Sequence, residues 1–268
     1  MILRISLQER LVYRGDFALG TLMRFLPIVT QVFLWYAIFQ TLGGASAGRA
    51  NIAGYKYEEF VAYYLLTMVA RAFSSMPGLS SQIAGQIRSG EIKKFLIQPI
   101  DPLGFLLLSR IAHKLAYYSV AAAPFALVFF LCRNYFPGWP DATAWSAFVI
   151  SLILCFLLGY FLEACLGLIG FWLLEVSSLL FVYMLFSFFL SGHMFPIDML
   201  NREPWATIVE TLPLQYLAYF PSAVLLGKIR GWHLVCGLSL EALWVVFFIL
   251  LSRLLWLRGT RRYSAYGG

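Results

Sequence analysis

Two charged side chains stand where charge is least expected. Arg71 lies within the apolar run 60–76, and Glu163 within a run (142–191) whose only other charge is Glu175. An ionised group is costly in lipid, so each must face protein or water, as part of an ion pair or of a transport path. Arg71 can pair with Glu58, Glu59 or an acid on another helix, or it can line a path. Glu163 is open in the same way. Glu175 reads as a turn residue near a membrane surface, and Glu241 as an acid near the start of the last helix, where the helix dipole favours it. Ser191-Gly192-His193 sets a hydroxyl beside an imidazole, the parts of an activated nucleophile. The two are only two residues apart at a predicted helix end, whereas intramembrane serine proteases draw nucleophile and base from different helices. No catalytic residue is assigned. His113, His193 and His233 are too dispersed for a metal centre. Cys132, Cys155, Cys165 and Cys236 lack zinc spacing and read as small hydrophobes. No metal ligand is assigned either.

The elements that must position these groups are membrane helices. The chain has 268 residues, of which 61% are hydrophobic and 12% charged, against about 25% charged in soluble domains. Its mean hydropathy is +0.77. A crossing takes roughly 20 apolar residues, so the length supports about six crossings and no sizeable soluble domain. A self-contained ATPase, or an enzyme with a water-soluble active site, is excluded. The net charge of +7 would suggest nucleic acid in a soluble protein; here it reflects basic residues on one membrane face, and no nucleic-acid partner is expected.

The fold class is therefore all-α polytopic, a single transmembrane domain over residues 1–268. Residues 1–18 interleave Arg4, Glu9, Arg10 and Arg14 with apolar residues at helical spacing, without the uninterrupted core of a cleavable signal. They read as an interfacial amphipathic helix. Spans are expected at 19 or 25–42, ending at a Gly43-Gly44-Ala45-Ser46 turn, then at 60–76 and 115–131. The run 142–191 divides into two at a turn over 173–178, and the last span covers 234–256. Residues 204–226 are apolar but interrupted by Glu210, Pro213 and Pro221. Proline breaks helices, and irregular backbone at membrane depth must be buried in protein or line a cavity. Two short helices over 203–227 that enter and leave on one side fit better than a crossing. With both termini inside, thirteen lysines and arginines fall on the inner side and six on the outer; a seventh crossing gives eleven against eight. The positive-inside bias prefers six crossings and a re-entrant pair.

The inner loop 79–104 is too polar to span and too patterned to be a linker. Ile83, Ile87, Ile92, Phe95 and Leu96 offer an apolar face, and Arg88, Glu91, Lys93 and Lys94 offer charges. Ser89-Gly90 interrupts the helix, and Pro99 with Pro102 ends it. Such an element suits docking in another protein's groove or lying on lipid headgroups, and composition leaves both open.

Three segments carry a resemblance. Ile87-Arg88-Ser89-Gly90-Glu91-Ile92-Lys93-Lys94, continuing to Gln98-Pro99-Ile100, resembles the loop of the ABC transporter type-2 permeases, particularly the short six-span bacterial members. Ser191-Gly192-His193-Met194-Phe195-Pro196-Ile197-Asp198 is similar to the end of that family's fifth span. Leu212-Pro213-Leu214-Gln215-Tyr216, followed by Tyr219-Phe220-Pro221, is similar to its external re-entrant helices. Phe171-Trp172 also looks family-like, although aromatic pairs are common at interfaces.

The resemblance implies the membrane-spanning permease subunit of an ABC exporter in the cytoplasmic (inner) membrane, multi-pass, with both termini cytoplasmic. It implies two permease chains, as a homodimer or heterodimer, with two separate nucleotide-binding ATPase subunits. Arg88, Ser89, Gly90, Glu91 and Lys93 would couple to the ATPase, and Gly192, Pro196, Asp198, Pro213 and Pro221 would form the re-entrant, external gate. Consistent with this, the chain has no phosphate-binding Gly-x-x-x-x-Gly-Lys-Ser/Thr loop. No cofactor is expected in this chain, ATP and Mg belonging to the partner; its other partner is membrane lipid. The rival reading is a secondary transporter or channel that works without ATP. Such proteins show internal repeats or ionisable relays; no repeat is found here, and buried charges are few.

Overall fold

The computed structural model describes residues 23, 26–43, 52, 54–136, 138–173, 175–199 and 209–263. The interfacial helix expected over 1–18 lies outside them, as do 203–208 and the turn after Gly43. Nine α-helices are present among the described residues: α1 (Leu26–Gly43), α2 (Tyr57–Ser74), α3 (Leu79–Arg88), α4 (Lys93–Ile97), α5 (Pro102–Leu131), α6 (Ala142–Leu168), α7 (Ser177–Leu190), α8 (Tyr219–Leu225) and α9 (Gly231–Arg262). Short 3-10 turns join them, among them Ile169–Phe171 after α6, Ile197–Met199 after α7 and Pro213–Leu217 before α8. Among the described residues, Ala142–Phe171 and Gly231–Arg262 are long and apolar enough to cross a membrane. Pro102–Leu131 is a third if followed through a 54° bend between Ser119 and Ala121. Pro124 explains that bend, since it cannot donate to the carbonyl four residues earlier.

α6 is the hub and packs against α2, α3, α8 and α9. Close approach to α2 depends on Gly159, where a Cβ would lie 2.1 Å from the Ser74 carbonyl oxygen. Gly167, two turns on, meets Ser80 and Ile83 in the same way. Small residues of this kind let helix backbones touch in membranes. Two apolar cores result. One gathers Phe60, Tyr63, Phe148, Tyr216 and Phe220 at the end where α2, α6 and α9 begin. The other gathers Leu79, Ile83, Ile87, Ile92, Phe95, Leu103 and Tyr160 at the opposite end.

The third expected span begins earlier than the sequence suggested, at Pro102 rather than 115. Asp101 is its N-cap, its carboxylate accepting from the Gly104 N–H at 3.0 Å, and Pro102 starts the helix instead of ending the loop. The added turns bury Leu103 and Leu106 against α3 and α4. The break between α6 and α7 overlaps the turn expected over 173–178, and α7 already begins at Ser177.

Asp198 and Lys228 both meet Tyr55, at one end of the molecule. Asp198 accepts a hydrogen bond from Tyr55 at 2.5 Å, and the Lys228 ammonium sits 4.4 Å from the centre of the Tyr55 ring. Residues 211–217 lie deeper. The Thr211 carbonyl accepts from the Trp244 indole at 3.1 Å, thirteen residues into α9 and so about 20 Å along it. The Leu217 carbonyl reaches Cys155 Sγ, and α8 then climbs back with Gly237 flat against Phe220.

Candidate functional site

The loop between α2 and α5 is an α3–α4 hairpin. Its turn uses Gly90 at φ +80°, a conformation open to glycine, after Ser89, whose N–H caps the Gly85 carbonyl. Ile83, Ile87, Ile92 and Phe95 are buried within the chain's own core. The apolar face that the sequence offered for docking is thus mostly consumed internally, at roughly 1.5–3 kcal/mol per buried side chain. What stays exposed is Arg88, Glu91, Lys93 and Lys94 with Leu96, Ile97 and Ile100. Glu91 lies 3.8 Å from Lys94. Arg88 reaches Glu175 at 3.4 Å, just before α7. The Ser177 hydroxyl and backbone N–H, ahead of Arg88, hold the Glu175 carboxyl below its ordinary range, in keeping with its reading as a turn residue. Behind the hairpin, Arg253 of α9 clasps Asp101 with both guanidinium nitrogens, one at 2.7 Å. That clasp, with help from the Gly104 N–H, holds the Asp101 carboxyl below the usual range.

At the opposite end, α7 stops at Leu190. Its 14 residues cover about 21 Å, short of a 30 Å hydrocarbon core. Residues 191–197 complete the rise without a helix, and tyrosine hydroxyls take up carbonyls left free: Tyr63 donates to Gly192 and Tyr64 to Met194, the latter at 2.6 Å. Gly192 has φ +78°, and a Cβ there would lie 2.6 Å from the Tyr219 Cβ. Pro196 is buried, and Asp198 accepts from both Tyr55 and Tyr219. Burial, then the Asp198 carboxylate, pushes the Tyr55 phenol well above its usual range. Pro213 opens its 3-10 turn and Pro221 sits in the first turn of α8, both buried. Gly192 and Asp198 are therefore brought to α8 through Tyr219, whereas the two prolines shape the backbone. The sequence reading missed Tyr55, Tyr63, Tyr64 and Tyr219. Their signal was the cluster of tyrosines running past the first turn of α2, deeper than an interfacial belt needs.

Arg71 and Glu163 line one cavity of about 470 Å³ between α2, α3, α6 and α7, but they form no ion pair. Glu58 and Glu59 are twelve or more residues before Arg71, about 18 Å along α2, and Glu59 pairs with Lys228 at 3.0 Å. Neither partners Arg71. Glu163 accepts from the Ser80 hydroxyl at 3.5 Å and lies between Gly159 and Gly167 on the α6 face that receives the α2–α3 junction. Ser191 Oγ and His193 Nδ1 have no partner, least of all each other, so no base activates the serine. Glu241 is not at a helix start: it lies ten residues into α9, fully buried, accepting from Ser151 at 2.9 Å while its Oε1 has no partner. Among the described residues no group of three metal-ligating side chains converges.

Apolar helices of this length and arrangement define a multi-pass membrane protein. More narrowly, residues 25–267 match the family model described as ABC-2 family transporter protein, and the chain belongs to that family. Membrane subunits of ABC-2 permeases are typically not ATPases themselves. No curated protein matches the chain at a significant level.

Proposed function

We propose that the chain is the permease subunit of an ATP-driven exporter in the cytoplasmic membrane. In this reading it makes six crossings with both termini cytoplasmic, forms one transmembrane domain, and associates with a second permease chain and with separate nucleotide-binding subunits that hold ATP and Mg. The observation that carries it is the α3–α4 hairpin. Its apolar side is locked into the chain, and its charged side chains, Arg88, Glu91, Lys93 and Lys94, stay exposed. It is tied to the start of α7 through Glu175 and to α9 through Asp101 and Arg253. A partner that moves the hairpin therefore moves helices, not a loose loop. ATP hydrolysis would bias the dimer between two conformations through such differential contacts. Arg88, Ser89, Gly90, Glu91 and Lys93 are the coupling residues, and Gly192, Pro196, Asp198, Pro213 and Pro221 shape the external gate. The descent and return of 209–228 beside α9 supports a re-entrant pair.

Glu91→Lys tests the reading in vesicles that contain the permease with its ATPase. ATPase activity uncoupled from transport, with an intact membrane dimer, is the expected result. Normal coupled transport would remove Glu91 from the coupling role. Recovery of the tagged chain without any ATPase, in detergent and in nanodiscs, would favour an ATP-independent transporter instead. Cysteines placed at Asp198 and Lys228 should label from one side; labelling from opposite sides would refute the six-span topology.

A further inference from the structure

Arg71 has no counter-ion among the described residues. No carboxylate lies within ion-pair distance of it there, and the groups close enough to feel its charge include Tyr183, Cys155 and His193. A second cavity of about 430 Å³, walled by α1, α2 and α5, meets the first at Arg71, Ser75 and His193. Two polar atoms bordering the first cavity also lack partners: Ser191 Oγ, in a residue with no exposed surface, and His193 Nδ1. Buried donors and cations in apolar surroundings are costly unless something answers them. The remaining wall is contributed by Leu180, Met184 and Phe188 of α7, a helix with no buried residue.

We infer that Arg71, with Ser191 and His193, binds the single anionic group, phosphate or carboxylate, of an amphiphile whose apolar part lies along α7. The inference rests on the permease reading and names the substrate class for it. Glu163, which accepts from the Ser80 hydroxyl, also lines this cavity. An apolar wall of this length has no use for a small free anion, whereas an acyl or aromatic tail would cover it. A guanidinium suits such a headgroup because its planar fork donates two parallel hydrogen bonds to one anion.

The test uses the purified full chain in phosphatidylcholine nanodiscs, with no ATPase present, and reads the thermal midpoint during titration. The probes are dodecyl phosphate, dodecyltrimethylammonium and inorganic phosphate. Dodecyl phosphate should raise the midpoint saturably, as a ligand of the folded state does, and the cationic probe should not. Arg71→Gln should weaken dodecyl phosphate at least tenfold, and Arg71→Lys should recover most of the loss. Leu180→Trp, which narrows the cavity at its α7 wall and leaves the charge in place, should also weaken the shift. Equal response to both amphiphiles, or undiminished affinity in folded Arg71→Gln, would overturn the site. Full binding by Leu180→Trp would place the anion elsewhere and overturn it as well; this variant decides the matter even if Arg71→Gln does not fold. Inorganic phosphate acting as strongly as dodecyl phosphate would overturn the amphiphile as the ligand. Failure here leaves the hairpin's coupling role standing, and a coupled Glu91→Lys permease leaves this site standing.

Discussion

Replacing Gly159 with alanine adds one methyl group where α6 crosses the end of α2. An ideal Cβ at that position lies 2.1 Å from the Ser74 carbonyl oxygen and 3.0 Å from its carbon. Ordinary contact starts near 3.4 Å, so the helices must separate by about 1 Å, and the obstacle is backbone that no rotamer change can move aside. Overpacking of this kind costs about 1–3 kcal/mol. A chain of roughly this size shifts by about 2–4 °C per kcal/mol, so the midpoint should fall by between about 2 and 12 °C. Gly85→Ala is the matched control: it is also a mid-helix glycine, yet nothing lies within 4 Å of its Cβ. There the gain in helix propensity, up to about 1 kcal/mol, should leave stability equal or higher. The assay is thermal unfolding of both variants in one detergent, followed by tryptophan fluorescence. If Gly159→Ala melts with Gly85→Ala, α2 and α6 do not touch as described, and the placement of Arg71 and Glu163 around one cavity loses its frame.

Other outcomes follow from the same contacts. Asp101 is held below its unfolded range by Arg253, so the pair stabilises the fold above about pH 4 and is lost as pH falls through the lowered value; Asp101→Asn should flatten that acid limb in a midpoint-against-pH series. The effect should be small, because both side chains are nearly half exposed. Tyr219→Phe leaves Asp198 with Tyr55 alone and should cost about 1–3 kcal/mol, and a double-mutant cycle with Tyr55→Phe should be non-additive. Ile92→Asp puts a charge at a site 2% exposed and should prevent folding, whereas Ile97→Asp, at 82% exposed, should melt like wild type and, under the permease reading, weaken capture of an ATPase partner. Equal behaviour of these two would contradict the inward orientation of the hairpin's apolar face.

The helical pattern was legible because apolar run lengths are dictated by membrane thickness. The breaks at Gly90 and near 173–176 were legible because glycine and a local charge punctuate such runs. The start of α5 was not. Residues 102–114 mix Leu103, Leu106, Arg110 and Lys114, a pattern that becomes helix through the Asp101 cap and the entry of Leu103 and Leu106 into the core shared with α3, α4 and α6. Nor could spacing reveal that Lys114 donates to the Ala72 and Phe73 carbonyls, closing the end of α2. Beyond α7, Gly192 and Asp198 were visible as types, but the phenols that hold them come from residues 55, 63 and 219. A sequence with one hydropathy value for tyrosine cannot separate a phenol that anchors a broken helix from one in an interfacial belt.

α7 joins the two ends of the molecule in a way that bears on coupling. None of its side chains is fully buried, so the ties at its ends carry much of its placement. At its start, Glu175 meets Arg88 of the hairpin and accepts from Ser177. Beyond its finish, the Ser191 carbonyl accepts from the Tyr219 N–H at 2.9 Å and Gly192 accepts from Tyr63. The first tie is exposed and exchangeable, with both partners more than half accessible; the second is buried. Under the permease reading, a partner that competes for Arg88 frees the hairpin end of α7 while the gate end stays anchored. The helix then pivots, and the wall that moves is the one carrying Leu180, Met184 and Phe188 opposite Arg71. Arg88→Ala should accordingly change access to that cavity without any ATPase present, read as faster alkylation of a cysteine at Leu180. An unchanged rate would separate the hairpin from the cavity and leave coupling to run through Asp101, Arg253 and α9.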